Sequence, residues 1–183
     1  MSKPRLYLDI TIEDLTHLRD LGLIEHEDFF ARNDRRGKGY LRRAYYDELI
    51  AICLCQNAAT QCIDPNHGFG DFDVWLFYQD SPDISFPYRA YPKTGKPQFK
   101  GTYVDFLKRS IPAKFTVRSD NVSGAVVSYL TEQRTKTQKM LLCNAIVGLH
   151  PEEIFGMVVW GGKLGAVQSM SVSDMRDHVR LHF

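Results

Sequence analysis

The N-terminal part of the chain has apolar residues at helical spacing. Leucines recur at positions 15, 18 and 21, as on a helix with one apolar face. Thr11 stands just before this run, and Asp14 follows Thr11 at the spacing of a capping box. The pattern predicts a helix beginning near Thr11, with a second short helix over residues 26–33.

Residues 33–46, "NDRRGKGYLRRAYY", break this pattern. The segment is polar and basic and contains two glycines, a composition typical of a loop. We therefore expect a mobile loop here, at the end of a helical N-terminal segment that covers residues 1–44.

The next two segments predict a strand followed by a helix. Residues 48–56 form a continuous apolar run that favours a buried strand. Residues 57–64 predict a short helix, which the turn residues from Asp64-Pro65 to Gly70 would end.

Two further apolar segments predict strands. Residues 71–79, "DFDVWLFYQ", are rich in β-favouring side chains and are apolar on both faces beyond Asp73, so this strand should be central. Residues 102–111, "TYVDFLKRSI", predict another strand that ends before Pro112. The connection of residues 80–101 contains four prolines, and long connections of this kind are usually functional or disordered.

The last third of the chain favours helices. Two helical patterns, the second ended by Pro151, cover residues 123–133 and 135–150. Residues 153–160 predict a strand or a packed apolar stretch, and residues 173–183 a last helix with Ser173 as its N-cap.

These elements predict one α+β domain over residues 1–183. Its core, residues 45–118, would be a small mixed β-sheet flanked by helices. The N-terminal segment and residues 119–183 would be helical additions to that core. A chain of this length buries enough surface to fold without disulfides or a structural metal.

Composition narrows the classes of function. The hydrophobic fraction is 44% and the formal net charge is +1, so any basic binding site must be local. No apolar run approaches the roughly 20 residues of a membrane span, and the N-terminus does not resemble a signal peptide, so we expect a cytoplasmic protein. The four cysteines lack zinc-ligand spacing and are interpreted as reduced, buried thiols, at positions 53, 55, 62 and 143.

Three aspartates form the main chemical hypothesis. Side chains alternate along a strand, so Asp71 and Asp73 lie on one face, about 7 Å apart along the backbone. Asp105 lies between Val104 and Phe106, where an unpaired carboxylate would be costly. Neighbouring strands are about 4.8 Å apart, so pairing of the two strands would bring all three carboxylates together.

Carboxylates gathered in this way suit a hard divalent cation. Oxygen ligands favour Mg²⁺ or Mn²⁺, and two such ions about 3.5–4 Å apart promote in-line phosphoryl displacement. Other readings stay open, since aspartates are common in turns and Asp105 could pair with Arg109 as a structural ion pair.

The arrangement resembles the nucleotidyltransferase superfamily, which includes polymerase-beta-like enzymes. That family has a small-residue turn at the start of a short helix, an acidic pair spaced by one residue on a strand, and a third acid on a later strand. The matching segments are "CQNAA" at 55–59, "DFDV" at 71–74 and "VDFL" at 104–107. The resemblance covers roughly residues 45–110.

The resemblance implies a Mg²⁺- or Mn²⁺-dependent enzyme that transfers a nucleotidyl group from an NTP such as ATP to a hydroxyl. The acceptor could be a protein, a nucleic acid or a small molecule, and a protein partner is compatible with the family. Asp71 and Asp73 would bind both metals, and Asp105 would complete the second site and help activate the hydroxyl. By analogy with small relatives of this fold, a role in bacterial defence or a toxin–antitoxin system is expected.

The resemblance also implies how the nucleotide is held. Asn57-Ala58 replace the usual Gly-Gly or Gly-Ser; Asn57 tolerates a left-handed backbone, and backbone N–H groups at the helix start would hold phosphate. Arg109 and Lys139 are the candidate cations. The 80–101 connection interleaves basic and aromatic residues that could contact a base and phosphates, namely Arg89, Lys93, Lys96 and Lys100 with Phe86, Tyr88, Tyr91 and Phe99.

Two alternatives remain. Asn57-Ala58 favours a catalytically degenerate relative that keeps the fold as a binding or assembly module. A metal-dependent nuclease would need a lysine two residues after an acid on one strand face; Leu107 holds that position and Lys108 points to the other face.

Overall fold

The computed structural model describes residues 5–87, 99–111, 145–161 and 167–171. These residues form an α+β fold in which helices pack on a mixed β-sheet. The helices predicted at 123–133 and 173–183 lie outside the described residues.

Helix α1 covers Ile12–Arg35 and begins with the predicted capping box. The Asp14 N–H donates to Thr11 Oγ1 at 3.2 Å, and the Thr11 N–H donates to the Asp14 carboxylate at 2.9 Å. The separate short helix predicted at 26–33 is wrong, because the first helix continues through this segment. Gly22 does not interrupt it, and a Cβ there would lie only 2.9 Å from the Ile52 side chain of the sheet.

The loop predicted at 33–46 is also wrong. After Gly37, at φ +73°, the chain forms helix α2, Gly39–Tyr45, and a 3₁₀ turn, Tyr46–Glu48. Leu41 and Tyr45 lie four residues apart on α2 and are both buried in the core. The burial of these two side chains stabilises α2, although the polar composition of residues 33–46 does not indicate a helix.

Within the described residues the sheet has six strands, in the order β3-β2-β1-β4-β5-β6. The β2–β3 pair is parallel, and the other neighbouring pairs are antiparallel. The strands are β1 Leu49–Cys55, β2 Phe72–Gln79, β3 Val104–Ile111, β4 Ala145–His150, β5 Met157–Gly161 and β6 Val167–Ser171. Helix α3, Gln56–Ile63, joins β1 to β2. The first three strands and α3 confirm the predicted elements.

The helix predicted at 135–150 is wrong over Ala145–His150, which form β4, so residues 119–183 are not uniformly helical. Pairing with β1 decides this, with Val147 opposite Leu54. Both residues are fully buried. This strand ends just before Pro151, the residue predicted to end the helix. Strand β5 begins in the second half of the apolar stretch at 153–160.

The sheet separates two apolar clusters. On one face, residues such as Ile52, Val74 and Leu76 pack with side chains from the three helices. On the other face, Trp75 and Phe77 join Cys53 and Cys55 in a second cluster. The free thiols among the described residues, at positions 53, 55 and 62, are buried as predicted, and burial raises the pKa of Cys53 to about 12.

Candidate metal centre

The structure brings Asp71, Asp73 and Asp105 together. Asp71 immediately precedes β2, and Asp73 and Asp105 are the second residues of β2 and β3. One carboxylate oxygen from each aspartate lies within 4.8 Å of the others, and all three side chains are partly exposed. This confirms the predicted convergence.

The parallel pairing of β2 and β3 produces this cluster. Both strands begin at the same edge of the sheet, and their register places Asp73 directly opposite Asp105. Below these carboxylates on the same face, Trp75 is opposite Leu107. Trp75 is 1% exposed, so the acidic cluster lies at the margin of a buried apolar surface.

Helix α3 begins beside the same cluster. Cys55, the last residue of β1, is opposite Asp73, and α3 starts at the next residue. Its N-cap residue, Cys55, makes no side-chain cap hydrogen bond. The first N–H groups of a helix have no partner within the helix, and together with the helix dipole they make such an end favourable for anions. The residues predicted to hold phosphate, Asn57 and Ala58, are therefore at the start of α3.

The backbone of this turn differs from the expectation. Gln56, rather than Asn57, has the left-handed conformation, with φ +58°. Asn57 instead contacts His67, with 3.0 Å between Asn57 Oδ1 and His67 Nε2. Ala58 is buried and has no hydroxyl to offer. The sequence signal for the Asn57–His67 contact was only the position of His67 in the turn before the acidic pair.

The N-terminal segment fixes the turn that leads into Asp71. Leu6 and Phe69 form a β-bridge through hydrogen bonds of 2.7 and 3.0 Å. The Arg5 guanidinium donates to the His67 carbonyl at 3.1 Å. Gly68, at φ +78°, packs closely against Tyr7, so a side chain at that position would collide with its ring.

A turn over residues 99–102 fixes the beginning of β3. Thr102 donates through Oγ1 to the Gly70 carbonyl at 2.7 Å, and Lys100 forms an ion pair of 2.6 Å with Asp14. Burial raises the pKa of Asp14, but hydrogen bonds from Lys100 and the Thr11 N–H hold it below its ordinary value. The segments that precede β2 and β3 are therefore tied to each other and to α1.

The donor set of this centre is oxygen alone. The Cys55 thiol is nearby, but burial, with the neighbouring Cys53 and Asp73, raises the pKa of Cys55 well above its ordinary value. A protonated thiol is a poor metal ligand. Three carboxylates on two paired strands fit Mg²⁺ or Mn²⁺ by ligand type, while softer metals favour nitrogen or sulfur.

The other residues predicted to contact the nucleotide do not belong to the cluster of three aspartates. Arg109 lies four residues beyond Asp105 on the same strand face, about 13 Å along β3. Lys139 lies outside the described residues, as do Arg89, Lys93, Lys96, Tyr88 and Tyr91.

The described part of the 80–101 connection packs against the domain. Phe86 contacts the rings of Phe29, Tyr45 and Tyr78. Phe99 stacks on His17 at 4.6 Å between ring centroids. Lys100 is paired with Asp14. The described aromatic and basic residues of this connection, Phe86, Phe99 and Lys100, therefore have structural contacts within the domain.

Known proteins supply no match to the chain. No family model, curated protein or solved structure matches it. Within the described residues, no helix has both the length and the apolar character needed to cross a membrane.

Proposed function

We propose that the chain is a metal-dependent nucleotidyltransferase that moves a nucleotidyl group from an NTP to a hydroxyl acceptor. The observation that carries this proposal is the mutual approach of three carboxylates, within 4.8 Å, at the start of two parallel strands. The start of α3 beside Asp73 supports it, because the N-terminus of a helix favours anions and a triphosphate needs an anion-binding site next to the metal.

In this proposal Asp71 and Asp73 hold the metal ions, and Asp105 completes the second site. Bound there, Mg²⁺ or Mn²⁺ supplies charge neutralisation for the phosphates and a lower pKa for the attacking hydroxyl. The backbone N–H groups at the start of α3 orient the phosphates, and Arg109 and Lys139 remain the candidate cations.

The proposed reaction is a single displacement at phosphorus. The acceptor oxygen forms a bond to the α-phosphorus while the bond from that phosphorus to the leaving pyrophosphate breaks. The hydroxyl proton passes to the Asp105 carboxylate and then to water. The fixed register of Asp73 and Asp105 holds these groups in position before substrate binds.

The second candidate function is that of a catalytically inactive binding module. The observation favouring it is the start of α3, where Gln56 is left-handed and Ala58 offers no hydroxyl. A side chain at position 56 limits how closely the backbone can approach a triphosphate. This candidate predicts NTP binding or partner binding without transfer.

A nuclease with an acid and a lysine on one strand face finds less support. Lys108 lies on the helix-covered face of β3, where its Nζ is 2.9 Å from Glu25. The acidic centre is on the opposite face, which includes Asp105.

The test compares Asp71→Asn with the wild type. The purified chain is melted with Mn²⁺ and each of the four NTPs, and transfer of α-labelled nucleotide to RNA, protein and small-molecule fractions is measured. We expect one NTP with Mn²⁺ to raise the melting temperature, since a ligand that binds the folded state stabilises it. Asp71→Asn should abolish both the metal-dependent rise and the transfer.

Asp83→Asn is the matched control, because Asp83 is exposed and lies outside the acidic cluster. It should leave both measurements unchanged. Transfer by Asp71→Asn at the wild-type rate would refute the proposal. Stabilisation by NTP without any transfer from the wild type would favour the binding module.

A further inference from the structure

The corner between α1 and α2 carries a dense positive charge. Residues 34–43 contain five basic residues and one acid, in a chain whose formal net charge is +1. Arg42 pairs with that acid, Asp34, at 2.6 Å and lies over the Tyr46 ring at 4.9 Å, so it joins the two helices. The other four residues form the basic corner: Arg35, Arg36, Lys38 and Arg43.

Within the described part of the chain, no acid pairs with the cations of the basic corner. None of the four forms an ion pair there within 4 Å, although acidic residues such as Asp28 and Asp47 are close in sequence. A helix C-terminus favours a cation such as Arg35 through the helix dipole. Arg43, in the last turn of α2, is favoured in the same way. Lys38 instead precedes the first residue of α2, where the helix dipole disfavours a cation.

The backbone of the basic corner is fixed. The Lys38 N–H donates to the Asn33 carbonyl at 2.8 Å, and the Gly37 N–H donates to the Asp34 carbonyl at 3.0 Å. The buried Asn33 side chain donates to the Phe29 carbonyl at 2.8 Å. The cations therefore project from an ordered turn, which lowers the entropy lost on binding a polyanion.

An exposed aromatic ring lies among these cations. Tyr40 is 41% exposed, while its neighbour Leu41 is buried. Cations that contact phosphates, together with a ring on which a base can stack, are the two components of single-strand binding. A membrane surface would favour a larger apolar patch beside the charge.

We propose that the basic corner, with Tyr40, binds single-stranded nucleic acid. It lies 21 residues along α1 from Asp14, about 32 Å, and Asp14 is the α1 residue tied to the segment preceding β3. The surface is therefore remote from the acidic centre. The inference stands independently of the proposed transfer reaction.

The test is fluorescence anisotropy of labelled single strands of about 16 nucleotides, RNA and DNA, in EDTA so that no metal is bound. If all four cations contact phosphates, affinity should fall about 50-fold between about 50 and 200 mM salt. In Arg35→Gln/Arg36→Gln the fall should shrink to about sevenfold. Tyr40→Ser should weaken binding about tenfold at every salt concentration, with the salt dependence unchanged.

Arg19→Gln is the control for Arg36→Gln, because each removes one positive charge. Arg19 is already paired with Asp20 and Glu152, at 3.2 and 3.6 Å. We expect Arg36→Gln to weaken binding and Arg19→Gln to leave it unchanged. Asp73→Asn should also bind as the wild type does, which separates this surface from the acidic centre.

Three results would overturn the proposal. The first is binding too weak to measure at low salt, and the second is equal weakening by Arg36→Gln and Arg19→Gln. The third is binding to vesicles of phosphatidylcholine with phosphatidylserine that a single strand does not displace. Melting temperatures of the variants near that of the wild type confirm that exposed substitutions have left the fold intact.

Discussion

At the scale of single residues, Lys108 has the most demanding environment among the described charges. Its side chain is 1% exposed, and its Nζ lies 2.9 Å from Glu25 Oε1 and 5.0 Å from the Phe29 ring centroid. Arg32 contacts the same Glu25 oxygen at 2.6 Å. Burial lowers the pKa of Lys108, although Glu25 opposes that shift. The Glu25 carboxylate therefore stabilises the buried ammonium group.

Glu25→Gln and Lys108→Met should consequently differ in their effect on stability. Glu25→Gln removes the carboxylate that pairs with a buried cation and should lower the free energy of unfolding by about 3–5 kcal/mol. Lys108→Met removes the buried charge and with it the need for a counter-charge. The free energy of unfolding should therefore fall only slightly or rise. Urea denaturation measures both. Glu48→Gln, at an exposed site, is the control; equal losses in the two core variants would contradict this account.

At the scale of elements, the start of α3 is strained. Gln56 has φ +58°, a conformation that costs an L-residue about 1–2 kcal/mol and glycine much less. The strained residue is the first residue of α3 and directly follows Cys55, which is opposite Asp73. Strain of this kind persists where the surrounding packing fixes the backbone.

Gln56→Gly should therefore stabilise the protein. The relief of strain exceeds the about 0.4–1 kcal/mol that glycine adds to the entropy of the unfolded chain, so we expect a net gain of up to about 1 kcal/mol. Asn57→Gly, one residue further into the helix, should instead destabilise by about 0.3 kcal/mol, since glycine has the lower helix propensity. Urea midpoints of the two variants give the signs, and destabilisation by Gln56→Gly would show that the glutamine side chain itself stabilises the turn.

The same elements show what the sequence could predict. Strand β2 and helix α3 were predictable because their apolar patterns are local and unbroken. Strand β4 was not, since its conformation depends on pairing with Leu54 and other residues of β1, about ninety positions away. The convergence of the three aspartates was predictable from alternation along two strands. The left-handed conformation of Gln56 was not predictable, because a pattern of apolar and polar side chains does not indicate the backbone angle φ.

At the scale of the whole molecule, stability should fall in mild acid. His26 is 7% exposed among aromatic rings, with its Nδ1 2.8 Å from Tyr78 Oη. Burial lowers the pKa of His26 from its ordinary 6.5, and burial together with Arg19 lowers that of His150. The unfolded chain therefore binds more protons than the folded one between the lowered pKa values and 6.5.

The expected sign follows from this difference. Stability is fully present above pH 6.5 and is lost as the pH falls from 6.5 through the lowered pKa values of the folded state. The measurement is the urea midpoint from about pH 7.5 to 5. His26→Gln should flatten this dependence, whereas His17→Gln, at an exposed position on α1, should retain it. Identical slopes for the wild type and His26→Gln would contradict the assignment to His26.

The opposite orientation of Asp105 and Lys108 on β3 protects the acidic centre against misalignment. A slip of β3 by one residue would turn every side chain of the strand to the other face. Asp105 would then lie under α1, on the side where Glu25 repels it, and Lys108 would move away from the Glu25 carboxylate. Both changes are electrostatically unfavourable. The negative charge of Asp105 and the positive charge of Lys108 therefore each favour the observed alignment of β3.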